Sequence, residues 1–244
     1  MRIAVIADVH ANLPALRAVM AHAAHHQVHA LWNLGDVVGF GAFPEEAVRI
    51  LREAEALSIL GNYDLKVLDF EQQTGNWEGV KDPDRFLAFR WAYEQLSPES
   101  RAYLRALSQQ ARLRVKGQRV LLVHGSPASI EEGLDAETPK ARLRELAALV
   151  KDDLVLCAHS HRPFVRRAKG VWFINPGSVG RPDDGDPRAS YAILKLKRDL
   201  FEVRHYRVAY DVERAARAIR QQGLPEIFAQ MVLQGRNLDE VTLP

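Results

Sequence analysis

Five short motifs of Asp, His and Asn follow apolar, strand-like runs in this chain of 244 residues. An α/β sheet opens a ligand crevice outside the carboxyl ends of its strands, so residues placed directly after strands meet there. Carboxylate, amide and imidazole ligands together suit a pair of first-row divalent metals. The pattern therefore predicts a dinuclear metal hydrolase. The motifs are Asp8-Val9-His10, Gly35-Asp36, Gly61-Asn62-Tyr63-Asp64, His124-Gly125 and Ala158-His159-Ser160-His161.

The N-terminal part of the chain alternates between predicted strands and predicted helices. Strands are expected at 2–7, 30–34 and 57–60, and helices at 13–25 and 44–55. Asn12 is placed to cap the first helix, and Pro14 lies in its first turn. This alternation predicts βαβ units and a largely parallel sheet, so the expected fold class is α/β.

Residues 66–110 interrupt that alternation. They hold many aromatic side chains, predicted helices at 86–96 and 99–107, and a polar loop at 72–79. We expect a helical insert that lies over one rim of the site. Residues 211–244 are expected to form a helical tail, with two short helices divided near Gly223 and Pro225. The chain length is compatible with a single domain over residues 1–244.

Predicted strands resume after the insert. They cover 119–123, 154–158, 171–174, 191–197 and 200–206. Only Arg198 and Asp199 separate the last two, which predicts an antiparallel hairpin, and we expect this hairpin in a second sheet.

Composition narrows the class of protein. The 33 basic and 31 acidic side chains leave a net charge of +2, which argues against a nucleic-acid partner. No apolar run reaches the ~20 residues that span a bilayer. Cys157 is the single cysteine, so we expect a reducing cytoplasm. Asp8 lies so close to Met1 that we expect no cleaved leader.

The chemistry of two metals explains the choice of residues. Two divalent ions held ~3.5–4 Å apart generate hydroxide from water and clamp an in-line displacement at phosphorus. Asp36 is the best candidate for the bridging carboxylate. Asp8 and His10 stand two apart, as do His159 and His161, so an extended backbone would project each pair to one face. Asn62 and His124 add neutral ligands, which keep the site from becoming too negatively charged to accept a phosphate.

The ordered series Asp-x-His, Gly-Asp, Gly-Asn-x-Asp, His-Gly and His-x-His strongly resembles the calcineurin-like metallophosphoesterases. The resemblance runs from Asp8 to about Tyr191, and the segments 36–41 and 175–180 resemble the small bacterial branch. It implies a two-sheet α/β sandwich with metals at the strand ends. It also implies one ion on Asp8, His10 and His161. The other ion would take Asn62, His124 and His159, with Asp36 as the bridge.

Tyr63 departs from the pattern of many relatives, which carry a histidine there that contacts phosphate or protonates the leaving group. With a usual pKa near ~10, tyrosine is the poorer proton donor, and general acid catalysis contributes ~10²–10⁴-fold. We therefore hypothesise substrates that need little leaving-group protonation, such as phosphoanhydrides or activated esters. The small bacterial branch often lacks this histidine, so the enzyme need not be inactive. Asp64 either caps the local turn or acts in the site.

Three arginines are candidates for binding phosphate oxygens, because a guanidinium offers a bidentate fork. They are Arg162, Arg181 and Arg188. Trp77 and Phe86 of the insert are core residues or a platform for a nucleotide base. We expect Mn²⁺ or iron as the metal, with Zn²⁺ or Ni²⁺ as alternatives.

The function that follows is a metal-dependent phosphoesterase for small phosphorylated, nucleotide-like substrates. A metal-bridging hydroxide would attack phosphorus in line, with Asp36, Asn62, Tyr63 and His124 as the catalytic set. Two alternatives stay open: hydrolysis of dinucleoside polyphosphates, and a protein-binding scaffold that keeps the fold without catalysis, like the retromer subunit that resembles it. The oligomeric state is left open.

Overall fold

The computed structural model describes residues 1–198 and 200–243, which form two mixed five-stranded sheets. The first sheet contains, in spatial order, β10 (Leu200–Val208), β9 (Ala189–Lys197), β1 (Arg2–Ile6), β2 (Ala30–Asn33) and β3 (Leu57–Ser58). The second contains β4 (Gln110–Val115), β5 (Gln118–Val123), β6 (Leu154–Leu156), β8 (Val171–Asn175) and β7 (Phe164–Ala168). β1, β2 and β3 run parallel, as do β5, β6 and β8. This confirms the two-sheet α/β sandwich.

One hydrophobic core lies between the two sheets. Ile3 and Val5 of β1 pack there with Leu122 of β5 and Leu156 of β6, and all four are fully buried. The alternate residues of β1, such as Ala4, face the opposite way into a second core beneath the helices. Apart from Arg2 at its start, β1 is apolar, because both of its faces are covered.

Helices cover the outer faces of the sandwich. They are α1 (Leu13–His25), α2 (Pro44–Glu53), α3 (Asn62–Leu68), α4 (Phe70–Trp77), α5 (Pro83–Gln95), α6 (Pro98–Ala106), α7 (Lys140–Ala148), α8 (Val212–Gln221) and α9 (Glu226–Gln234). The predicted bounds of α1 are confirmed, with the Asn12 side chain accepting the N–H of Ala15 at 3.2 Å. Among the described residues, no helix is long and apolar enough to cross a membrane.

The C-terminal hairpin differs from the prediction in one respect. β9 and β10 are antiparallel, as expected, but β9 also pairs with β1, so the hairpin extends the first sheet. The physical reason is that β9 is apolar on both faces: Tyr191 packs under the helices and Leu194 packs between the sheets. Because both faces of such a strand are covered, water does not reach its main-chain N–H and C=O groups, and these groups need a neighbouring strand at each edge. Asp199 lies outside the described residues.

The region around the insert also contains elements that the sequence patterns missed. Most of the predicted polar loop at 72–79 is α4, which is polar along its length and is held by the burial of Phe70. β4, β7 and α7 were not predicted, and β4 begins at Gln110, where the insert was expected to end. The two tail helices are confirmed. The division into one domain with an insert and a tail stays a prediction.

Candidate metal centre

Loops at the carboxyl ends of β1, β2 and β6 carry most of the predicted ligands. Their backbones are not extended: Asp8, His10, Asp36, His159 and His161 have φ of 53°, 46°, 54°, 66° and 57°. The expectation that alternation along an extended chain would align each pair is therefore wrong. Left-handed conformations at residues other than glycine cost roughly 1–3 kcal/mol each and concentrate at functional sites.

Hydrogen bonds between neighbouring loops hold this strained backbone. The N–H of Asp8 donates to Gly35 O and that of His10 to Asp36 O, both at 3.0 Å. The loop after β2 also approaches the loop after β3 so closely that a Cβ on Gly35, which has φ +94°, would lie 2.3 Å from Gly61 N. Glycine at position 35 is thus required for packing and for backbone conformation.

Asp8, His10 and His161 form what we call the inner half of the site. The Nε2 of His161 lies 3.4 Å from Asp8 Oδ1 and 3.2 Å from His10 Nε2. Its Nδ1 lies 2.6 Å from Arg181 O and donates to it, which directs the lone pair of Nε2 at the site. All three residues are buried.

Asn62, His124 and His159 form the outer half. Asn62 Oδ1 lies 3.0 Å from His124 Nε2 and 3.3 Å from His159 Nδ1. His124 Nδ1 donates to Leu34 O at 2.8 Å, so the lone pair of the ring lies on Nε2 whenever His124 is neutral. His159 is only half-buried, in contrast to the ligands of the inner half.

Two carboxylates lie between the halves. Asp36 Oδ2 is 3.7 Å from His10 Nε2 and 3.5 Å from His124 Nε2, while its Oδ1 accepts the N–H of Tyr63 at 2.8 Å. Asp8 Oδ1 also comes within 3.9 Å of His124 Nε2. Two ligand clusters result, Asp8 with His10 and His161, and Asp8 with Asp36 and His124. The sequence had singled out Asp36 alone as the bridge.

The donor set fits divalent cations. Both carboxylate oxygens of Asp8 are buried without a hydrogen-bond partner among the described residues, which is costly unless a positive charge compensates. Imidazole nitrogens also face each other, since His124 Nε2 lies 3.3 Å from His159 Nδ1. A single proton between these two nitrogens satisfies both without metal, and a cation held by both would take the place of that proton.

The electrostatics of the ligands agree with this fit. Burial, the largest single influence, opposes ionisation of Asp8, but the interactions with His161 and His124 together outweigh it and lower the pKa of Asp8. Burial likewise opposes protonation of His124, yet Asp36 and Asp8 raise the pKa of His124 to about 10. Burial, aided by Arg181, places the pKa of His10 well below its usual range, so this imidazole is a neutral ligand. The carboxylates therefore create a strong demand for positive charge.

Asp64 lies behind the ligands and organises their loops. Its Oδ1 accepts the N–H groups of Val37 at 2.9 Å and Val38 at 3.1 Å, and its Oδ2 accepts that of Gly61 at 3.0 Å. Burial and the nearby charge of Asp36 raise the pKa of Asp64 to about 7. These contacts agree with the capping alternative.

A model of the calcineurin-like phosphoesterase superfamily domain matches residues 1–199. The chain belongs to this superfamily. It is therefore a hydrolase that acts on phosphoester bonds, in a family that depends on metal ions, and the two clusters are its candidate metal sites.

Individual relatives agree with the assignment. The crystal structure of a metallophosphoesterase from Sphaerobacter thermophilus superposes with a TM-score of 0.78 at 33% identity, covering 96% of this chain and 99% of that one. An uncharacterised protein of Methanocaldococcus jannaschii is 32% identical over 96% of this chain and 98% of its own length. The phosphodiesterase YfcE of Escherichia coli is 27% identical over 80% of this chain and 87% of its own.

Tyr63 of this phosphoesterase forms one wall of the site. Its ring stands edge-on to the ring of His10, with 5.4 Å between the ring centroids. It also packs against the rings of Phe40 and Phe89, at centroid distances of 5.2 Å and 5.0 Å. The aromatic side chains of the insert pack against one another. The ring centroids of Trp77 and Phe89 are 5.7 Å apart, and those of Phe86 and Phe70 are 5.3 Å apart. These contacts place Trp77 and Phe86 in the packing of the insert.

The three candidate arginines have different environments. The guanidinium of Arg181 stacks on Phe40 at 4.6 Å, and its Nε and Nη1 are buried without a partner among the described residues. Arg162 lies 3.5 Å from Asp183, and Arg188 lies 2.6 Å from Asp186. Of the three, Arg181 is brought next to the inner half, whereas Arg162 and Arg188 engage nearby carboxylates.

Three contacts of the site were missed by sequence reasoning. Glu131 accepts a hydrogen bond from Asn62 Nδ2 at 2.9 Å, and Lys66 lies 2.8 Å from Glu131. Ser178 donates to Asp8 O at 2.7 Å and so ties the 175–180 segment to the inner half. Glu131 lies in a polar loop without a local pattern, whereas the Asn-Pro-Gly-Ser series around Ser178 could have indicated a role.

Proposed function

We propose that this phosphoesterase is dinuclear and hydrolyses phosphodiester or phosphoanhydride bonds of small, nucleotide-like substrates. The observation that carries the proposal is a pair of ligand clusters that share Asp8. Asp36 belongs to the second cluster, and its Oδ2 lies 3.7 Å from His10 Nε2 of the first. When bound, two cations supply an activated water for in-line attack and neutralise charge on the phosphoryl oxygens. We propose Mn²⁺ or iron, with Zn²⁺ or Ni²⁺ as alternatives, because the ligands are oxygen and imidazole groups.

The side chains of this protein would bind the cations and hold the ligands in position. Asp8, His10 and His161 would hold one cation, and Asn62, His124 and His159 the other, with Asp36 and Asp8 between them. The main-chain N–H of Tyr63 keeps Asp36 Oδ1 engaged, so Asp36 Oδ2 remains directed at the ligands. The strained loops hold these groups in place before substrate arrives, and such preorganisation lowers the cost of reaching the transition state.

Substrate binding is assigned chiefly to Arg181. A guanidinium next to the inner half can bind phosphate oxygens, and its Nε and Nη1 lack other partners among the described residues. Tyr63 shapes the pocket, and the leaving group departs with weak acid assistance from Tyr63 or water. Contacts of Arg162 and Arg188 with substrate stay predictions, as does a cytoplasmic location.

The test is hydrolysis of bis(p-nitrophenyl) phosphate by protein stripped of metal and reloaded with Mn²⁺. We expect Mn²⁺-dependent turnover that Asp36→Asn removes, while circular dichroism of the variant is unchanged. A protein that turns over no phosphoester with any of these metals contradicts the proposal and favours the scaffold alternative.

A substrate panel then distinguishes the ester classes. Because Tyr63 is a weak acid, we expect faster turnover of a dinucleoside polyphosphate or an aryl phosphodiester than of an alkyl phosphodiester. Comparable turnover of the alkyl and activated substrates contradicts this preference.

A further inference from the structure

We propose that Glu131 is a positioning residue that turns the side-chain oxygen of Asn62 towards the outer half, with Lys66 as its counter-charge. The inference rests on the proposed function, since it concerns how the outer half holds its cation. Asn62 Nδ2 donates to Glu131 Oε2 at 2.9 Å, and Lys66 Nζ lies 2.8 Å from Glu131 Oε1.

The chemistry of the amide makes such an orienting partner necessary. A primary amide ligates a cation through its oxygen, whereas its NH₂ end presents two donors that a cation repels. A carboxylate only accepts hydrogen bonds, so Glu131 selects the NH₂ end of Asn62. Asn62 Oδ1 is then left 3.0 Å from His124 Nε2 and 3.3 Å from His159 Nδ1.

The backbone delivers both partners to this position. Asn62 and Lys66 stand one turn apart on α3, so their side chains share a helix face. Glu131 follows the tight turn after His124, in which Ser126 Oγ accepts the N–H of Ser129 at 3.1 Å. A Cβ on Gly125 would lie 2.4 Å from Ser129 O, so glycine permits this turn to pack.

Stability does not account for the Lys66–Glu131 pair. The side chains of Lys66 and Glu131 are 26% and 53% exposed, and exposed ion pairs contribute only ~0–1 kcal/mol to stability. The pair instead fixes a carboxylate beside a ligand whose two ends differ in chemistry. Its effect is thus expected on metal affinity.

The first experiment is calorimetric titration of metal-free protein with Mn²⁺. In Glu131→Ala we expect one of two binding steps to weaken ~10–100-fold, the range typical of groups that orient metal ligands. The other step should change less than about two-fold. Glu131→Gln should weaken the same step less, because glutamine can still accept. The matched control is Glu94→Ala, which removes an exposed ion pair with Arg90 on α5.

A second pair of proteins, Asn62→Asp with and without Glu131→Ala, separates orientation of the Asn62 amide from simple attraction between Glu131 and the cation. Asn62→Asp offers two equivalent oxygens and needs no orienting partner. In that background Glu131→Ala should leave Mn²⁺ affinity unchanged or increase it, because a repulsive carboxylate pair is relieved. Equal losses in both backgrounds would mean that Glu131 acts through its charge alone and overturn the inference.

Two further results overturn it in distinguishable ways. Unchanged Mn²⁺ affinity of Glu131→Ala overturns the inference alone, even if urea unfolding shows a loss of stability. Failure of the wild-type protein to bind two Mn²⁺ ions overturns the proposed function itself, and the inference with it.

Discussion

The ligands of the inner and outer halves of the site differ in their hydrogen-bond partners and in their burial. In the inner half, buried His161 is anchored to the main-chain oxygen of Arg181. In the outer half, His124 has a similar anchor on Leu34, but Asn62 depends on Glu131, whose side chain is 53% exposed, and His159 is half-buried. Buried main-chain anchors restrict a ligand more than exposed side chains do. We therefore expect a tight inner cation and a more exchangeable outer one.

Among the variants that compare the two halves, Asp8→Asn should have the largest effect, because Asp8 contacts both halves. We expect kcat/KM to fall by on the order of 10²–10³-fold, the range for removing one preorganised electrostatic group. Both Mn²⁺ binding steps should weaken in calorimetry. If only one step weakens, Asp8 serves the inner half alone and Asp36 is the sole bridge.

The next largest effect is expected on the stability of the metal-free protein, which should fall more for a variant of the inner half than for one of the outer half. His161→Ala removes a buried ring and leaves Arg181 O unpaired, so we expect a loss of about 2–4 kcal/mol in the free energy of unfolding. His159→Ala should cost about 1 kcal/mol or less, because His159 is partly solvated. Urea unfolding with a chelator present measures both, and equal losses contradict the difference in support.

Stepwise removal of metal tests the comparison directly. On titration of Mn²⁺-loaded protein with a chelator, we expect one ion to leave first, with dissociation constants that differ by about ten-fold or more. Elemental analysis at each chelator concentration follows the loss. His159→Ala should retain the tight step and lose the weak one; the reverse result would invert the assignment of the halves.

The smallest effect concerns substrate at the inner half. Arg181→Met keeps apolar packing on Phe40 but removes the guanidinium, so KM should rise about five-fold while kcat changes less than about two-fold. Arg90→Met, which removes an exposed arginine of α5 paired with Glu94, is the control and should leave both constants unchanged. An unchanged KM in Arg181→Met would show that this guanidinium binds no substrate group.

The fold was predictable to the extent that it follows local patterns. The bounds of α1 could be read from Asn12 and Pro14, and the first three strands from their apolar runs. β4 was missed although exposed polar and half-buried apolar residues alternate along its six positions, which is the pattern of a half-buried strand, so the sequence did carry a signal for it. The sheet that contains β9 depends on its pairing with β1, almost 190 residues away, which no local pattern reports.

The sequence by itself determined which residues meet at the strand ends. Each metal motif combines an apolar run, which must be buried, with ligand side chains directly after it, and burial of the runs brings the ligands together. Only the tertiary structure decided the left-handed backbone of Asp8 and His161, the position of Arg181 beside the inner half, and the contact of Glu131 with Asn62. These features arise from loops that pack against distant loops, and such contacts depend on shape rather than on periodicity or spacing.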